Sequence, residues 1–164
     1  MAEGCPSTGV RSEDDPLELH DRGAVDIDPL ELLELLRLRV DVFVVEQACA
    51  YHELDGRDGE TSTRHLWLSD GCRPVAYLRL LDDGDARRIG RVATAADRRG
   101  EGLAARLVSH ALATSAAPWV LDAQSHLEGW YRAFGFEACG DAFVEDGIEH
   151  VPMRRVVPAD KMQP

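Results

Sequence analysis

Two periods of alternation between hydrophobic and polar residues divide the first part of the chain into a strand and a helix. The stretch PLELHD alternates as a short strand does. In the stretch that follows, Asp28 is suited to cap a helix and Pro29 to occupy its first turn. We expect an amphipathic helix here. Its predicted apolar face is Leu33, Leu36, Val40 and Phe43, and its predicted polar face is Glu31, Glu34, Arg37 and Asp41.

The middle of the chain predicts a long loop followed by a meander of strands. Residues 46–63 are polar and contain glycine, which indicates a loop or a loop with a short helix. Three strand-like runs follow, HLWLSD, RPVAYLRLLDDG and ARRIGRVAT, with turns at Asp70-Gly71 and at residues 82–85. Short turns between alternating runs favour antiparallel pairing.

The second half of the chain alternates between helical and extended patterns. One helix is predicted from Leu103, Ala104, Leu107, Val108 and Ala111 and ends before Pro118. The strand WVLDAQ follows, and a second helix then has Leu127, Trp130, Tyr131 and Phe134 on one face, with Gly135 as its C-cap. The runs FEACGDAF and IEHVPMRR, joined at EDG, predict a closing hairpin in which Pro152 favours an edge strand.

Length and composition predict one domain. The 164 residues are 45% hydrophobic, which suits a single core. Residues 1–15 are small and polar and predict a disordered tail; we place the domain at residues 16–157 and a C-terminal tail at 158–164. No run resembles a membrane span or a signal peptide, so we expect a cytoplasmic protein.

Charge and cysteine spacing exclude several classes of site. A net charge of −12 with a pI near 4.8 argues against a nucleic-acid surface. The acidic exterior either attracts cationic substrates or only keeps the protein soluble. No CxxC pair occurs, which argues against a zinc site or a disulfide framework, and we expect reduced thiols. The cysteines are Cys5, Cys49, Cys72 and Cys139.

The loop AADRRGEG, between a strand and a helix, carries the first candidate chemistry. Gly100 and Gly102 let a ligand approach the backbone, and the first turn of the helix offers unpaired N–H groups at its positive end. Arg98 and Arg99 add positive charge, so the loop is suited to a diphosphate. It is neither a Walker loop nor a dinucleotide fingerprint. A plain turn with solvated arginines remains the alternative.

A second feature lies one strand downstream, in LDAQSHLEGWYRAFGF. A strand, a helix carrying Tyr131 and then a Gly-Phe step resemble the second cofactor motif of the GNAT superfamily of N-acetyltransferases. The chain from about Leu30 to Arg155 is most similar to the ElaA-like branch, on the basis of several blocks in order. These blocks are LRLRVDVFVVEQ, YHELDGRD, TRHLWL, GRVATAADRRGEGL, LDAQSHLEGWYRAFGF and EDGIEHVPMRR.

The resemblance implies an α+β (mixed α/β) GNAT-like fold, with a central, mostly antiparallel twisted sheet of about six to seven strands flanked by about four helices. It implies acetyl-CoA as co-substrate, with no metal. Val92, Ala93 and Thr94 would present main-chain groups to pantetheine and the thioester oxygen. The pyrophosphate would lie on Arg99, Gly100, Glu101, Gly102, Leu103 and Ala104. Gln124 stands where many relatives have asparagine, and Asp97 departs from the usual Gln or Arg.

The expected reaction is transfer of the acetyl group to a primary amine of a small molecule or peptide, by direct attack in a ternary complex. Tyr131 is the expected general acid, because a phenol is protonated at neutral pH. A tyrosine with this spacing alone is more often a core residue than a catalyst, and the Gly-Phe step reverses that preference. The base is undetermined among Glu46, His65, His126 and His150. The acidic loop HELDGRDGE offers Glu53, Asp55 and Asp58 to a cationic substrate, or is simply solvated.

Two other functions remain open. Arg39 and Phe43 match an Arg-x-x-x-Phe element of acyl-homoserine lactone synthases, which share the fold. A non-catalytic acyl-CoA-binding module is the second alternative, and Asp97 in the loop favours it. We expect neither nucleic acid nor membrane as a partner. A homodimer through the closing hairpin is an open alternative.

Overall fold

The computed structural model describes residues 10–12 and 15–155, which contain nine strands and three α-helices. The strands are β1 (Val10–Ser12), β2 (Asp15–Gly23), β3 (Arg64–Asp70), β4 (Arg73–Asp82), β5 (Arg87–Thr94), β6 (Trp119–Gln124), β7 (Glu137–Ala138), β8 (Phe143–Glu145) and β9 (Ile148–Arg155). The helices are α1 (Pro29–Val40), α2 (Leu103–Ala113) and α3 (Glu128–Arg132). A π-helical turn, Asp41–Glu46, continues α1, and short 3-10 turns lie at Arg57–Gly59, Ala96–Arg98 and Ser125–Leu127.

The strands form one mixed sheet in the order β1-β2-β3-β4-β5-β6-β9-β7, and β8 also pairs with β9. Every pair is antiparallel except β5 with β6, so the predicted α+β class and mostly antiparallel sheet are confirmed. The sheet has nine strands rather than six or seven, because β1 lies in the predicted tail and the single predicted strand FEACGDAF gives way to two short strands, β7 and β8.

The ends of the chain fall partly outside this description. Strand β1 lies inside the segment predicted as a disordered tail, so that prediction is wrong at residues 10–12. The rest of the predicted N-terminal tail up to residue 9, residues 13–14 and the predicted C-terminal tail lie outside the described residues. No described helix is long and apolar enough to cross a membrane.

Helix α1 begins as predicted, but the buried face differs. The Asp28 carboxylate accepts a hydrogen bond from the Leu30 amide at 2.8 Å, as an N-cap does. The inward residues are Leu35, Leu38 and Arg39, whereas Leu33, predicted to face the core, is 56% exposed. Leucines occur on almost every side of this helix, so their spacing did not determine its orientation.

The core consists of two apolar clusters, one on each face of the sheet. Helices α2 and α3 cover one face, where Leu78 of β4 packs with Leu107 and Tyr131. Helix α1 covers the other face, where Leu35 packs with Tyr77 of β4. Strand β4 is buried along both faces, so it is the central strand of the domain.

The closing hairpin is arranged differently from the prediction. Strand β9 lies between β6 on one side and β7 and β8 on the other, so Pro152 is not in an edge strand. Pro152 lies between the residues that pair with β8 and those that pair with β7, and its carbonyl accepts from the Cys139 amide at 2.9 Å. Proline has no backbone N–H to donate, and in β9 this position falls at the break between β8 and β7.

His65 of β3 is enclosed in the sheet and hydrogen-bonded through both ring nitrogens. Its Nε2 lies 3.0 Å from the Asp58 carbonyl, which can only accept, so Nε2 carries the hydrogen. Its Nδ1 then accepts from the Tyr77 hydroxyl at 2.7 Å. Burial lowers the pKa of His65 below its ordinary value of 6.5 and outweighs the opposing effect of Asp58.

The lowered pKa of His65 predicts a stability that depends on pH. The unfolded chain takes up a proton near pH 6.5 that the folded chain resists, so the free energy of unfolding is highest above that pH. Below it, stability falls by up to about 1.4 kcal/mol per pH unit for this group. Urea denaturation between pH 5 and 8 measures this slope.

His65→Gln is expected to lower stability at pH 7.5 and to reduce the slope on the acid side. Part of the slope remains, because burial also lowers the pKa of His20. His52→Gln is the matched control, since His52 is exposed in a neighbouring loop. An unchanged slope in His65→Gln would contradict the assignment of a neutral, buried imidazole.

Candidate functional site

A gap between β5 and β6 lies at the carboxyl ends of the only two parallel neighbours in the described sheet. The strands pair in register at Arg87 with Trp119 and at Arg88 with Val120. Beyond these positions β5 continues to Thr94, paired with β4, and β6 continues to Gln124, paired with β9, but β5 and β6 no longer pair with each other. The unpaired main-chain groups of β5 are therefore available to a ligand lying between the two strands.

A β-bulge in β5 accompanies this divergence. Tyr77 pairs with Ala93 and Arg79 pairs with Gly90, so Arg91 and Val92 together lie opposite a single residue of β4. Arg91 has a φ of 54°, in the left-handed region that disfavours residues with a Cβ. The bulge includes Val92, the first of the predicted cofactor residues Val92, Ala93 and Thr94, a placement that sequence reasoning did not anticipate.

The glycine loop leads from the carboxyl end of β5 into α2. Gly100 and Gly102 have φ values of 84° and 75°, and no atom lies within 4 Å of a Cβ built on either. Gly102 is the N-cap of α2 and supplies no side-chain cap. Glycine is therefore required here by backbone conformation, and the N–H groups of Leu103 and Ala104 begin the helix facing open space.

The charged side chains of this loop bind one another and the surrounding surface. Arg98 donates to Glu101 at 2.7 and 2.9 Å and to Asp70 at 3.0 Å. Asp97 accepts from Arg73 at 2.6 and 2.8 Å, so its side chain is directed along the surface to the start of β4. Asp97, which replaces the Gln or Arg usual in the family, thus forms an ion pair outside the glycine turn.

Arg99 forms a bidentate ion pair with Glu46, and both N–O distances are 2.6 Å. The hydrogen bonds from Arg99 lower the pKa of the Glu46 carboxyl, so Glu46 is ionised and is a weak base. Both side chains are about half exposed. The pair joins the end of the π-helical turn to the glycine loop.

Tyr131 lies in α3, the helix that follows β6 after a short turn, and 6% of its surface is exposed. Its ring packs edge-on against Trp130 and Phe136, with centroid distances of 4.7 and 6.0 Å. Burial raises the pKa of the phenol, so the hydroxyl stays protonated throughout the physiological range. The same core cluster contains Leu103 at the start of α2, and Val92 packs against it.

The remaining polar candidates lie along β6 and its neighbours. The Gln124 amide is 3.5 Å from the Gln47 side chain, next in the chain to Glu46. His150 of β9 lies opposite Gln124 in the register, and its Nδ1 is 2.9 Å from the Ile148 carbonyl. His126 is exposed in the turn that follows β6. Gln124 and His150 are therefore neighbours on the rim, whereas the enclosed His65 has no access to a substrate and is not a base.

The expectation that the acidic loop receives a cationic substrate is wrong, because buried arginines already bind its carboxylates. Glu53 Oε1 accepts from Arg39 Nε at 2.5 Å, and Asp58 accepts from Arg39 Nη1 at 2.5 Å. Arg79 donates to Asp58 at 2.9 Å and to Asp55 at 2.6 and 2.8 Å. These bonds lower the pKa of Asp55 to about 2 against the opposing effect of partial burial.

Sequence reasoning missed these arginines as partners of the loop. Arg39 is completely buried in α1, and Arg79 is 3% exposed in β4. A signal was present, because Arg79 interrupts the apolar run of the central strand and a buried guanidinium needs carboxylate partners. Which carboxylates these are depends on the path of residues 47–63, and spacing alone did not show it.

A separate cavity of about 270 Å³ lies on the α1 side of the sheet, beside the start of the glycine loop. Val42, Pro74 and Ala95 form apolar walls, and Asp41 and Glu46 lie at its edge. It contains neither Tyr131 nor the first turn of α2, so it is distinct from the gap between β5 and β6. The cysteines Cys49, Cys72 and Cys139 are free thiols, and Cys5 lies outside the described residues.

Comparisons with known proteins assign the chain to a family. A family model described as an acetyltransferase (GNAT) domain matches residues 32–157. A UPF0039 protein of Mycobacterium tuberculosis is 50% identical over 139 residues, which are 80% of this chain and 88% of the relative. Protein ElaA of Escherichia coli is 38% identical over 151 residues, which are 86% of this chain and 97% of ElaA.

Solved structures agree with the sequence relatives. An acyl-CoA N-acyltransferase from Pseudomonas aeruginosa superposes with a TM-score of 0.82 at 39% identity, covering 85% of this chain and 99% of that structure. The crystal structure of Escherichia coli ElaA superposes with a TM-score of 0.79 at 37% identity and covers 85% of this chain and 99% of ElaA. The chain therefore belongs to the GNAT acetyltransferase family and is an acyltransferase of its ElaA-like branch.

Proposed function

We propose that this acyltransferase moves the acetyl group of acetyl-CoA to a primary amine of a small molecule or peptide. The observation that carries the proposal is the stretch of β5 that pairs with β4 but is unpaired on the side facing β6. Val92–Thr94 offer main-chain groups along the gap, and the glycine-led helix N-terminus lies at its end. A long acyl-CoA fits this arrangement, with pantetheine along the strand and pyrophosphate on the N–H groups of residues 99–104.

The local charge at the loop supports diphosphate binding in a chain of net charge −12. Main-chain N–H groups and the helix dipole act at contact distance, where the charge of the whole protein matters less than oriented donors. Arg99 can join them by exchanging Glu46 for a phosphate oxygen. Because its pair with Glu46 is half exposed, breaking it costs little.

Tyr131 is the proposed general acid. In the proposed reaction the acceptor nitrogen bonds to the thioester carbonyl carbon, the C–S bond breaks, and the departing thiolate takes a proton from the phenol. The protonated hydroxyl, on the helix that directly follows β6, supports this role. Main-chain N–H groups of Val92–Thr94 are suited to stabilise the carbonyl oxygen as it gains negative charge.

The acceptor amine must lose a proton before attack, and rim residues are the candidates for receiving it. His150 and His126 have ring nitrogens near the carboxyl end of β6 and are candidate bases. Glu46 fits a different role, because its ionised carboxylate can attract a cationic amine once Arg99 has exchanged it for a phosphate oxygen. A chain of water molecules is the alternative route for the proton.

Two other functions are separated from this proposal by product analysis. An acyl-homoserine lactone synthase would form a lactone from S-adenosylmethionine and an acyl thioester. The Arg39 element that suggested it is explained by buried ion pairs within the fold. A non-catalytic module would bind acetyl-CoA without releasing thiol. The ion pair of Asp97 with Arg73 leaves the glycine turn intact and removes the main argument for a defective loop.

The direct experiment incubates the protein with acetyl-CoA and a panel of amines, amino acids, polyamines and peptides, and follows release of free thiol. We expect acceptor-dependent thiol release and an acetylated amine in the mass spectrum. Lactone formed from S-adenosylmethionine would favour the synthase. Tight binding of acetyl-CoA without turnover across the panel would favour the module.

Gly102→Trp tests the loop. A bulky side chain at the helix N-cap, with a φ of 75°, covers the N–H groups proposed to bind pyrophosphate. We expect the dissociation constant for acetyl-CoA to rise at least about tenfold, equivalent to about 1.4 kcal/mol, as measured by isothermal titration calorimetry.

Gly84→Trp is the control for Gly102→Trp. Gly84 has a φ of 84° and open space around it in the turn between β4 and β5, so the strain is matched. Acetyl-CoA affinity is expected to stay at the wild-type value in this variant. If a folded Gly102→Trp protein bound acetyl-CoA as tightly as the wild type, the loop would be only a turn and not a binding site.

Tyr131→Phe tests the general acid. Removing only the hydroxyl is expected to lower kcat by about 100-fold, at the lower end of the range for proton transfer catalysis, while acetyl-CoA affinity changes little. Stopped-flow detection of free thiol with the best acceptor from the panel gives kcat, and calorimetry gives the affinity. The same kcat in mutant and wild type would remove Tyr131 from the mechanism.

A further inference from the structure

A buried ionic cluster connects α1, the loop of residues 47–63 and the bulge of β5. Its members are Arg39, Arg79, Arg91, Glu53, Asp55 and Asp58. Three arginines face three carboxylates, so the charges balance within the cluster. Arg39, Arg79 and Glu53 are each at most 3% exposed. Such burial is costly in solvation, and apolar residues would fill the same space more cheaply.

The bulge itself is under strain. Arg91 has a φ of 54°, which costs free energy for a side chain with a Cβ and persists only where surrounding contacts impose it. The Arg91 Nε lies 2.8 Å from Glu53 Oε2, and its guanidinium lies over the Tyr51 ring at 5.8 Å from the centroid. These contacts of the side chain are suited to hold the conformation.

Glu53 is held from the opposite side. Arg39 donates to its carboxylate at 2.5 Å and to its main-chain carbonyl at 3.1 Å, and the Tyr51 hydroxyl donates to its other carboxylate oxygen. A carboxylate that Arg39 and Tyr51 both bind has a defined position even though it lies on a long loop. The position of α1 is thus transmitted through Arg39 and Glu53 to Arg91.

The next residues after Arg91 are the ones that the proposed function places against acyl-CoA. A bulge adds one residue to β5 and redirects the strand, which exposes the main-chain groups of Val92–Thr94 to the gap. Without an anchor, a residue with a Cβ at position 91 lowers its free energy by leaving the left-handed region. That movement rotates the adjoining peptide groups.

We propose that the ionic cluster, through the pair of Glu53 with Arg91, holds the β5 bulge in the conformation that presents Val92–Thr94 to the acyl thioester. Glu53 and Arg91 are positioning residues that act through the backbone. This inference rests on the proposed function for its ligand, acetyl-CoA. Its claim about the backbone of β5 holds independently of any ligand.

The test compares two substitutions at position 91. Arg91→Met removes the anchor and leaves a Cβ at positive φ, whereas Arg91→Gly removes the anchor and also removes the strain. We expect acetyl-CoA to bind about tenfold more weakly to Arg91→Met, and Arg91→Gly to retain most of the wild-type affinity. A role in packing alone predicts the reverse order, because glycine deletes more atoms.

Arg57→Met is the matched control, because Arg57 lies in the same loop region and pairs with Glu60 and Asp83 outside the cluster. Its acetyl-CoA affinity is expected to equal that of the wild type. Thermal melting of each variant shows that the protein is folded at the temperature of the titration. Both position 91 variants leave the pair of Arg39 with Glu53 in place, so a folded protein is expected.

Amide hydrogen exchange of Val92–Thr94 in the ligand-free protein supplies a second readout. We expect exchange there to accelerate in Arg91→Met relative to wild type and to Arg57→Met. Wild-type affinity and exchange in Arg91→Met, or weaker binding by Arg91→Gly than by Arg91→Met, would overturn the inference. If the wild type does not bind acetyl-CoA, the proposed function fails and the exchange rates alone decide the role of the cluster.

Discussion

The divergence of two parallel strands is the constraint on which the rest of the site depends. After Arg88 and Val120 the backbone groups of β5 and β6 no longer satisfy one another. A sheet with unsatisfied inner strands is normally unfavourable, and the molecule supports the opening with cores on both faces and with the bulge at Arg91. The glycine loop and Tyr131 belong to the site because each follows one of the two diverging strands.

Electrostatics in this protein operate over short distances. The chain is strongly acidic, yet the arginines near the site have assigned carboxylate partners, from Arg98 with Glu101 at the surface to Arg39 with Glu53 in the interior. The two kinds of pair differ in consequence. The exposed pairs can exchange partners at little cost, whereas the buried pairs determine the position of the backbone.

Sequence patterns predicted the regular elements well, because their information is local. The strands β3 to β6 and the helix after the glycine loop follow from alternation and from glycine and proline placement. Three expectations were wrong because they depended on distant contacts. The inward face of α1, the insertion of β9 inside the sheet and the partners of Glu53 are each decided by residues far away in the chain.

The sequence motifs predicted which residues form the candidate site, but not the burial or the backbone conformation of the residues around it. Resemblance to a family suggested Tyr131 and residues 99–104, which lie in the segments that follow β6 and β5. The burial of His65 was not predictable, because a histidine at the start of a strand has the same sequence signature whether exposed or enclosed. The positive φ of Arg91 left no signal at all, since the residue most suited to that conformation would be glycine.

Arg79 disfavours alternative registers of β4 in the sheet. Its guanidinium points from β4 toward Asp55 and Asp58, on the face opposite Leu78 and Leu80. Because neighbouring side chains in a strand point to opposite faces, sliding β4 by one residue would bring this charge into the apolar layer under α2. No carboxylate of the cluster would follow it there, and the misaligned sheet would contain an unpaired buried cation. The same ion pairs that cost solvation free energy in the native state thus make alternative alignments much less stable.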